Sequence, residues 1–357
     1  MKKKLALALS LAMAMTLALT ACSNGDKPAA STPAASKPAV STPAASQPSS
    51  GLAAKDGGTN LTFTTGGESG TYYGFGNVIA GKVGDMTSTS VKAITSGGSA
   101  ANIQALEDQD AQLGFVQSDV MVYAYNGERT FAETGASTGF STVANLYMEQ
   151  VQIVTVDPSI KSVADLAGKK VSVGAPGSGV FFNAVDVLNA YGLGDLNDKQ
   201  EFTKIDATYQ SFQDSAEALK DAQIDAAFIV AGAPTTAVTD LASGRAISLV
   251  SLDDEHINAL IASCPYYSKN VISKDVYSLA EDTTTVAVGA VVIARDDVSE
   301  ADVYNFLYGT FEDVANLSHG KAAELDLDFA ASVTAIGYHP GAVAYFADKG
   351  ITVPAKG

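Results

Sequence analysis

The chain has 357 residues, 46% of them hydrophobic and 17% charged, with a formal net charge of −17 and only two cysteines. So acidic a balance excludes a basic grip on nucleic acid or on anionic lipid. Two cysteines, Cys22 and Cys264, exclude a disulfide framework, and the roughly 300 residues of the body predict two lobes with core enough to fold without one.

Lys2, Lys3 and Lys4 precede an apolar run to Leu19, followed by Leu19-Thr20-Ala21-Cys22. The run is short and ends in small residues, so residues 1–21 read as a secretory signal peptide rather than a transmembrane helix. The Leu-Thr-Ala-Cys ending resembles a bacterial lipobox, in which the cysteine, here Cys22, is lipidated and becomes the first mature residue. Residues 22–58 join that cysteine to a stretch of Ala, Ser, Pro, Gly and Lys. Such a stretch cannot bury enough surface to offset its ordering entropy and reads as a flexible tether. No later run is long and apolar enough to span a bilayer.

From residue 59 strand-like and helix-like segments alternate. Residues 61–65 read as a strand, 72–83 as a helix, 91–95 as a strand, 100–107 as a helix and 113–117 as a buried strand. Asp119 is placed to cap the next helix, which ends near Asn126-Gly127. The order βαβαβα predicts a parallel, doubly wound sheet. It then repeats: strand 170–174, helix 180–191, strand 201–205, helix 215–220, strand 224–230, helix 234–241 and strand 246–252. Ala105-Leu106-Glu107-Asp108 with Phe115-Val116 is echoed at constant offset by Ala218-Leu219-Lys220-Asp221 with Phe228-Ile229, which supports two equivalent lobes.

Two apolar β-like runs, 151–156 and 286–294, are placed to cross between the lobes. The tail from Glu300 is helical, with Val303, Phe306, Leu307, Phe311 and Val314 on one face. The expected architecture is α/β, two lobes each with a doubly wound sheet, joined by a two-strand hinge. Residues 59–155 and 290–357 form lobe 1 and residues 156–289 form lobe 2. Such a hinge implies a cleft that closes on something small.

The strand-end loops carry the chemistry. TTGGESGTYY at 64–73 and GAPGSG at 174–179 sit between an apolar run and an amphipathic stretch, where backbone N–H groups and hydroxyls can cradle an anion. Ser96-Gly97-Gly98-Ser99, with Asn102 one turn on, and Gln117-Ser118-Asp119 end the next two strands. Thr208-Tyr209-Gln210 and Ala231-Gly232-Ala233 occupy the corresponding places in the second lobe. For Ser99, Asp119 and Ser178 the plain alternative is helix capping. Arginine is confined to Arg129, Arg245 and Arg295, so no bidentate clamp for a carboxylate is local to these loops. Arg295, beside the second crossover, is the one candidate.

Enzyme signatures fail. Gly76 to Lys82 nearly spells a phosphate-binding loop, but Val83 replaces the required hydroxyl residue and the stretch reads as mid-helix. There is no GxSxG elbow, and His256, His319 and His339 are too dispersed for a metal site. His339-Pro340-Gly341 reads as a turn into the last helix, and Cys264 as a small buried hydrophobe. No catalytic residue, cofactor or metal is expected.

Six pieces carry a family resemblance: TTGGESGTYYGFGNVIA at 64–80, SGGSAANIQAL at 96–106, GFVQSDV at 114–120, ADLAGKKVSVGAPGSG at 164–179, ALKDAQIDAAF at 218–228 and GYHPGAVAYFADKG at 337–350. The chain resembles the TAXI family, the solute-binding subunits of TRAP-type (tripartite ATP-independent) transporters. That resemblance implies a type II periplasmic-binding-protein fold and a glutamate-like amino acid or dicarboxylate as solute. It also implies delivery to membrane permease subunits driven by an ion gradient. Position by position, the matched loops nominate Thr65, Gly67, Thr71, Tyr72, Ser99, Asn102, Gln117, Ser118, Asp119, Ser178 and Gly232 for the ligand. By charge, Asp119 is the candidate to pair with a ligand ammonium and the three Gly/Ser loops are the candidates to hold carboxylates. Ala100, Ala101 and Ala222 depart from the family pattern and bear on ligand identity rather than fold. The expectation is an extracytoplasmic, lipid-anchored binding protein with no enzymatic activity and no nucleic-acid partner. A sensory or adhesive binding lipoprotein and a secreted enzyme on the same fold are the alternatives.

Overall fold

Short strands with inward Phe, Val and Leu, each followed by a helix, build the first lobe in the computed structural model. It describes residues 51–197 and 201–357. The expected signal peptide at 1–21, Cys22 and the expected tether as far as residue 50 lie outside the described residues. The first lobe runs β1 (Asn60–Thr64), α1 (Thr71–Met86), β2 (Ser90–Ile94), α2 (Ser99–Glu107), β3 (Leu113–Gln117) and α3 (Ser118–Asn126). Gly127 ends α3 in the left-handed conformation, φ 66°, at the expected Asn126-Gly127.

The chain then crosses on β4 (Phe140–Thr155) into a second βα series. This comprises β5 (Lys170–Ser172), α4 (Val180–Ala190), β6 (Asp206–Thr208), α5 (Phe212–Lys220), β7 (Ala226–Ala231), α6 (Thr236–Gly244), β8 (Ser248–Leu249), α7 (Asp254–Ser263) and β9 (Ser268–Ile272). It returns on β10 (Thr283–Arg295) to α8 (Glu300–Phe311), α9 (Leu327–Ala330) and α10 (Pro340–Asp348). His339 caps α10 through its side chain with Pro340 in the first turn, as the His-Pro-Gly turn predicts.

The strand order is β2-β1-β3-β10-β4-β7-β5-β6, with β8 beside β4 and β9 beside β10. β1, β2 and β3 pair in parallel, as do β5, β6 and β7, whereas β4 and β10 run antiparallel to their neighbours. The two long strands serve both lobes. β10 pairs β9 over Thr283–Ala287 and β3 over Ala290–Ala294, and its register against β4 shifts between Ala290 and Val291, where it passes from one lobe to the other. Strands buried on both faces read as continuous apolar runs, and β10 is buried from Thr285 to Ala294.

Strand alternation explains the cores. Phe228 and Val230 face one cluster with Val151 and Ile153, while Ala227 and Ile229 face another with Val154, Leu219 and Val238. The first lobe packs on Phe63, Phe75, Phe115, Tyr147 and Phe306. Phe115 on β3 and Phe228 on β7, like Leu106 on α2 and Leu219 on α5, occupy equivalent places, which accounts for the sequence echo.

Several expectations are corrected. The first crossover begins at residue 140 rather than 151: Ser141, Thr142, Asn145 and Glu149 hide the strand in the sequence, yet all are buried. The strand expected at 201–205 lies at Asp206–Thr208, and that at 246–252 shrinks to Ser248–Leu249. Residues 51–58, assigned to the tether, are partly tied down. The Lys55 N–H donates to Asn305 Oδ1 (2.7 Å), and its carbonyl accepts from Asn305 Nδ2 (2.9 Å). One amide on α8 therefore satisfies both backbone groups and docks the chain before residue 59.

Candidate functional site

The carboxyl ends of the strands from both lobes surround one cavity of about 440 Å³. Lobe 1 contributes Gly66 to Tyr72, Ser96 to Ser99, Gln117 and Glu149. The second lobe contributes Ala175, Ser178 to Val180, Gln210 to Gln213, Val230 and Ala231. Four helices of nine residues or more, α1, α2, α4 and α5, begin at this cavity.

The N-caps of α1, α2 and α4 are Gly70, Gly98 and Gly179, none with a side-chain cap bond and none followed by an acidic residue in the first turn. The backbone N–H groups and the positive ends of the dipoles are thus left for a ligand. Only α5 is capped conventionally, by Ser211 accepting from the Asp214 N–H. The capping alternative is therefore corrected: Ser99 and Asp119 lie inside their helices, Ser178 precedes the Gly179 cap, and Gln117 stands at the N-cap of α3. The Ser99 hydroxyl accepts from the Gln117 N–H, and the Ser178 hydroxyl donates to the Ala175 carbonyl. Gly98 adopts φ +105° with the Ser178 Cα 3.3 Å from where a Cβ would stand, so only glycine permits this approach of the lobes.

The floor has a different character. Tyr72 stacks on Phe115 with centroids 4.5 Å apart. Its buried hydroxyl lies near Glu149 and Ser99, coupled to both without being aligned as a hydrogen bond. Gln117 donates through Nε2 to Asn183 Oδ1 (2.9 Å), leaving its buried Oε1 without a donor. Glu149 is 2% exposed. Burial pushes its carboxyl up to about 8; the nearby Asp119 adds to this, while Tyr72, Lys321 and the Gly232 N–H pull the other way. Among the described residues no lysine or arginine forms an ion pair with Glu149. Lys321 is committed to Glu324, and no arginine or lysine lines the cavity.

Of the nominated residues, Gly67, Thr71, Tyr72, Ser99, Gln117 and Ser178 line the cavity. The other five do not. The Thr65 hydroxyl donates to the Ile94 carbonyl (2.7 Å), and Asn102 donates through Nδ2 to the Thr65 and Phe115 carbonyls (2.7 Å each), tying together the ends of β1 and β3. Ser118 accepts from the Gly289 N–H of β10 (2.9 Å). The Gly232 carbonyl accepts from the Thr71 hydroxyl (2.6 Å). Asp119 is fully buried, and its Oδ2 accepts from Asn183 Nδ2 (2.9 Å). Burial, reinforced by Asp186, pushes its carboxyl up to about 7. Arg295 stands at the opposite end of β10, bonded to Asp297 and to the Ala111 carbonyl, and does not reach the cavity.

Several of these contacts join the lobes. Thr71 to Gly232, the Ala101 N–H to the Gly177 carbonyl (3.1 Å), the Ala237 N–H to the Ser69 carbonyl (3.1 Å) and Gln117 and Asp119 to Asn183 all cross the cleft. Arg129 reaches across to Asp186 (2.7 Å) beside them. The lobes are shut over the cavity.

The sequence reading missed Glu149, Asn183 and Phe212. A carboxylate inside a 16-residue buried strand was the available signal for Glu149, since burying a charge without a partner is costly. Asn183 carried none, being one of three polar residues, with Asp186 and Asn189, in a mostly apolar helix. Among the described residues no group of three His, Cys, Asp or Glu could hold a metal ion, and no helix is long and apolar enough to cross a membrane.

Residues 63–350 match the NMT1-like family. Three solved structures are similar at low identity. The periplasmic aliphatic sulphonate binding protein SsuA from Escherichia coli is 17% identical over 81% of this chain and 89% of its own, with a TM-score of 0.42. An ancestral arginine-binding protein bound to arginine is 15% identical over 74% and 96%, with a TM-score of 0.44. A putative methionine-binding lipoprotein from Bacillus subtilis is 11% identical over 74% and 92%, with a TM-score of 0.41. The two βα series, the shared pair of long antiparallel strands and the cleft between them make the architecture a two-lobed, type II periplasmic-binding-protein-like α/β fold.

Proposed function

The chain belongs to the NMT1-like family, and from that premise we propose that it is an extracytoplasmic solute-binding protein for a small carboxylate-bearing solute. One observation carries the reading: three helix N-termini without side-chain caps, two from the first lobe and one from the second, converge on a single cavity. Oxygen atoms of a carboxylate are the complement of those N–H groups. Ser99 adds a hydroxyl whose proton is uncommitted and the loop at Gly67 adds close backbone approach, while Thr71 and Ser178 line the cavity with their protons given to the Gly232 and Ala175 carbonyls. Thr65, Asn102, Ser118, Asp119 and Gly232 support the site by fixing loops and the closed lobes rather than by touching the solute.

Capture works by hinge closure about β4 and β10. A solute bridging both lobes favours the shut form, because contacts to α4 and α5 are made together with those to α1 and α2 only when the cleft is closed. The TAXI resemblance and the lipobox at Cys22 extend the proposal to a lipid-anchored protein that hands its solute to TRAP permease subunits. Native mass spectrometry and calorimetry of the full chain against small carboxylates test the core of it. A retained or titratable carboxylate is the expected result, and ligands that are exclusively uncharged would refute it.

A further inference from the structure

The floor of the cavity does not match its rim. The rim offers donors, whereas the floor holds a buried acceptor without a donor, the Gln117 Oε1, beside the Tyr72 hydroxyl and the buried carboxyl of Glu149, which has no ion-pair partner among the described residues. All three residues are more than nine-tenths buried and line the cavity. An acceptor buried without a donor is costly, so the floor is built for something that donates. Resting on the solute-binding reading above, we infer that Glu149 selects solutes whose inner end carries an ammonium group, while the rim holds the carboxylate. The partner assigned by the sequence to such an ammonium, Asp119, is closed off behind Asn183, and Glu149 takes its place.

The groups facing Glu149 make this an exchange. Tyr72 on α1, Tyr147 on β4, Asp119 on α3, Lys321 in the C-terminal segment and the Gly232 N–H after β7 surround it. Lys321, whose charge pulls the Glu149 carboxyl down, is itself ion-paired to Glu324; burial outweighs it, and without a solute Glu149 keeps its proton to about pH 8. When an R–NH₃⁺ group arrives, the carboxyl gives its proton to solvent and the carboxylate and ammonium pair. Binding therefore releases up to one proton, and below pH 8 affinity rises with pH by as much as about tenfold per unit. Above that the dependence flattens, because the carboxylate is already formed. A plain dicarboxylate cannot form that ion pair: protonated Glu149 offers it one neutral O–H hydrogen bond, and ionised Glu149 repels it.

Calorimetry of the full chain with three five-carbon probes tests the inference: glutamate, glutarate and 1,5-diaminopentane, each in buffers of different ionisation enthalpy at pH 7. The expected result is glutamate binding at least about tenfold tighter than glutarate, with the buffer dependence reporting proton release. Glu149→Gln abolishes both the preference and the release while still binding glutarate. The wild-type proton count stands even if that variant folds poorly. Glutarate binding as tightly as glutamate, without proton release, overturns the role of Glu149 and leaves the carboxylate reading intact. Binding of the diamine alone, with proton release, overturns the carboxylate reading and supports Glu149. Silence toward all three overturns both.

Discussion

Asn183 holds the closed cleft together, and its removal gives a direct measure of closure. On α4 of the second lobe, its Oδ1 accepts from Gln117 Nε2 and its Nδ2 donates to Asp119 Oδ2, both at 2.9 Å and both across the cleft. Asn183→Ala deletes these two bonds and strands a buried amide and a buried carboxyl in the shut form only. In the open form water satisfies both. At about 0.5–1.5 kcal/mol per bond, plus the cost of groups left unpaired, closure loses roughly 2–4 kcal/mol. That corresponds to roughly a 30- to 700-fold weaker solute affinity. Stability without solute changes little, because the only bond lost within the lobe is that to Tyr267 (2.7 Å) and alanine favours the helix. Calorimetry with the captured solute, thermal melts without it, and a double-mutant cycle with Gln117→Ala test this. Affinity within threefold of wild type, or additive losses in the cycle, would refute the assignment of this cluster to closure.

Gly232→Ala obstructs the same closure from another side. A Cβ there would stand 2.5 Å from Lys321 Cε and 2.9 Å from Tyr147 Cε2, both in the first lobe, so calorimetry is expected to show about a tenfold or greater loss of affinity. Asp119 makes stability depend on pH. Its carboxyl is pushed from 3.8 up to about 7 by burial, so the folded state keeps its proton longer than the unfolded chain does. The sign is a loss of stability as pH rises from about 4 through 7, on the order of 4 kcal/mol at most. Asp119→Asn should reduce the slope of urea denaturation midpoints over that range, leaving the part that Glu149, raised to about 8, contributes, and an unchanged slope would contradict it. Phe63→Ala, removing a fully buried ring packed on Phe115 and Phe306, should destabilise the protein by about 3–5 kcal/mol in chemical denaturation. A loss below 1 kcal/mol would show that the first-lobe core is misassigned.

Local physics wrote the plan of this protein into its sequence. The alternation of strand and helix, the doubled βα series, Gly127 ending α3 and the His339-Pro340 start of α10 all depend on residues near one another in the chain. So do the glycine-rich turns that leave α1, α2 and α4 uncapped at the cavity. Burial of polar residues by distant segments was not legible. Glu149 and Asn145 interrupt β4 as a sequence pattern, and only the packing of segments distant in the chain makes them interior. The division of the polar loop residues depended on the same thing. Gln117 and Tyr72 reach the cavity, whereas Asn102 and Thr65 turn back to tie strand ends, although all four belong to the strand-to-helix connections of the first lobe. Asp119 looked like the ligand's partner until Asn183, from the other lobe, came to rest against it. The sequence by itself determined the two βα series and the loops between their strands and helices, because those rest on short-range propensity and periodicity. Only the tertiary structure decided which side chains face the solute and which face the opposite lobe, because that depends on two separately folded surfaces meeting across a hinge.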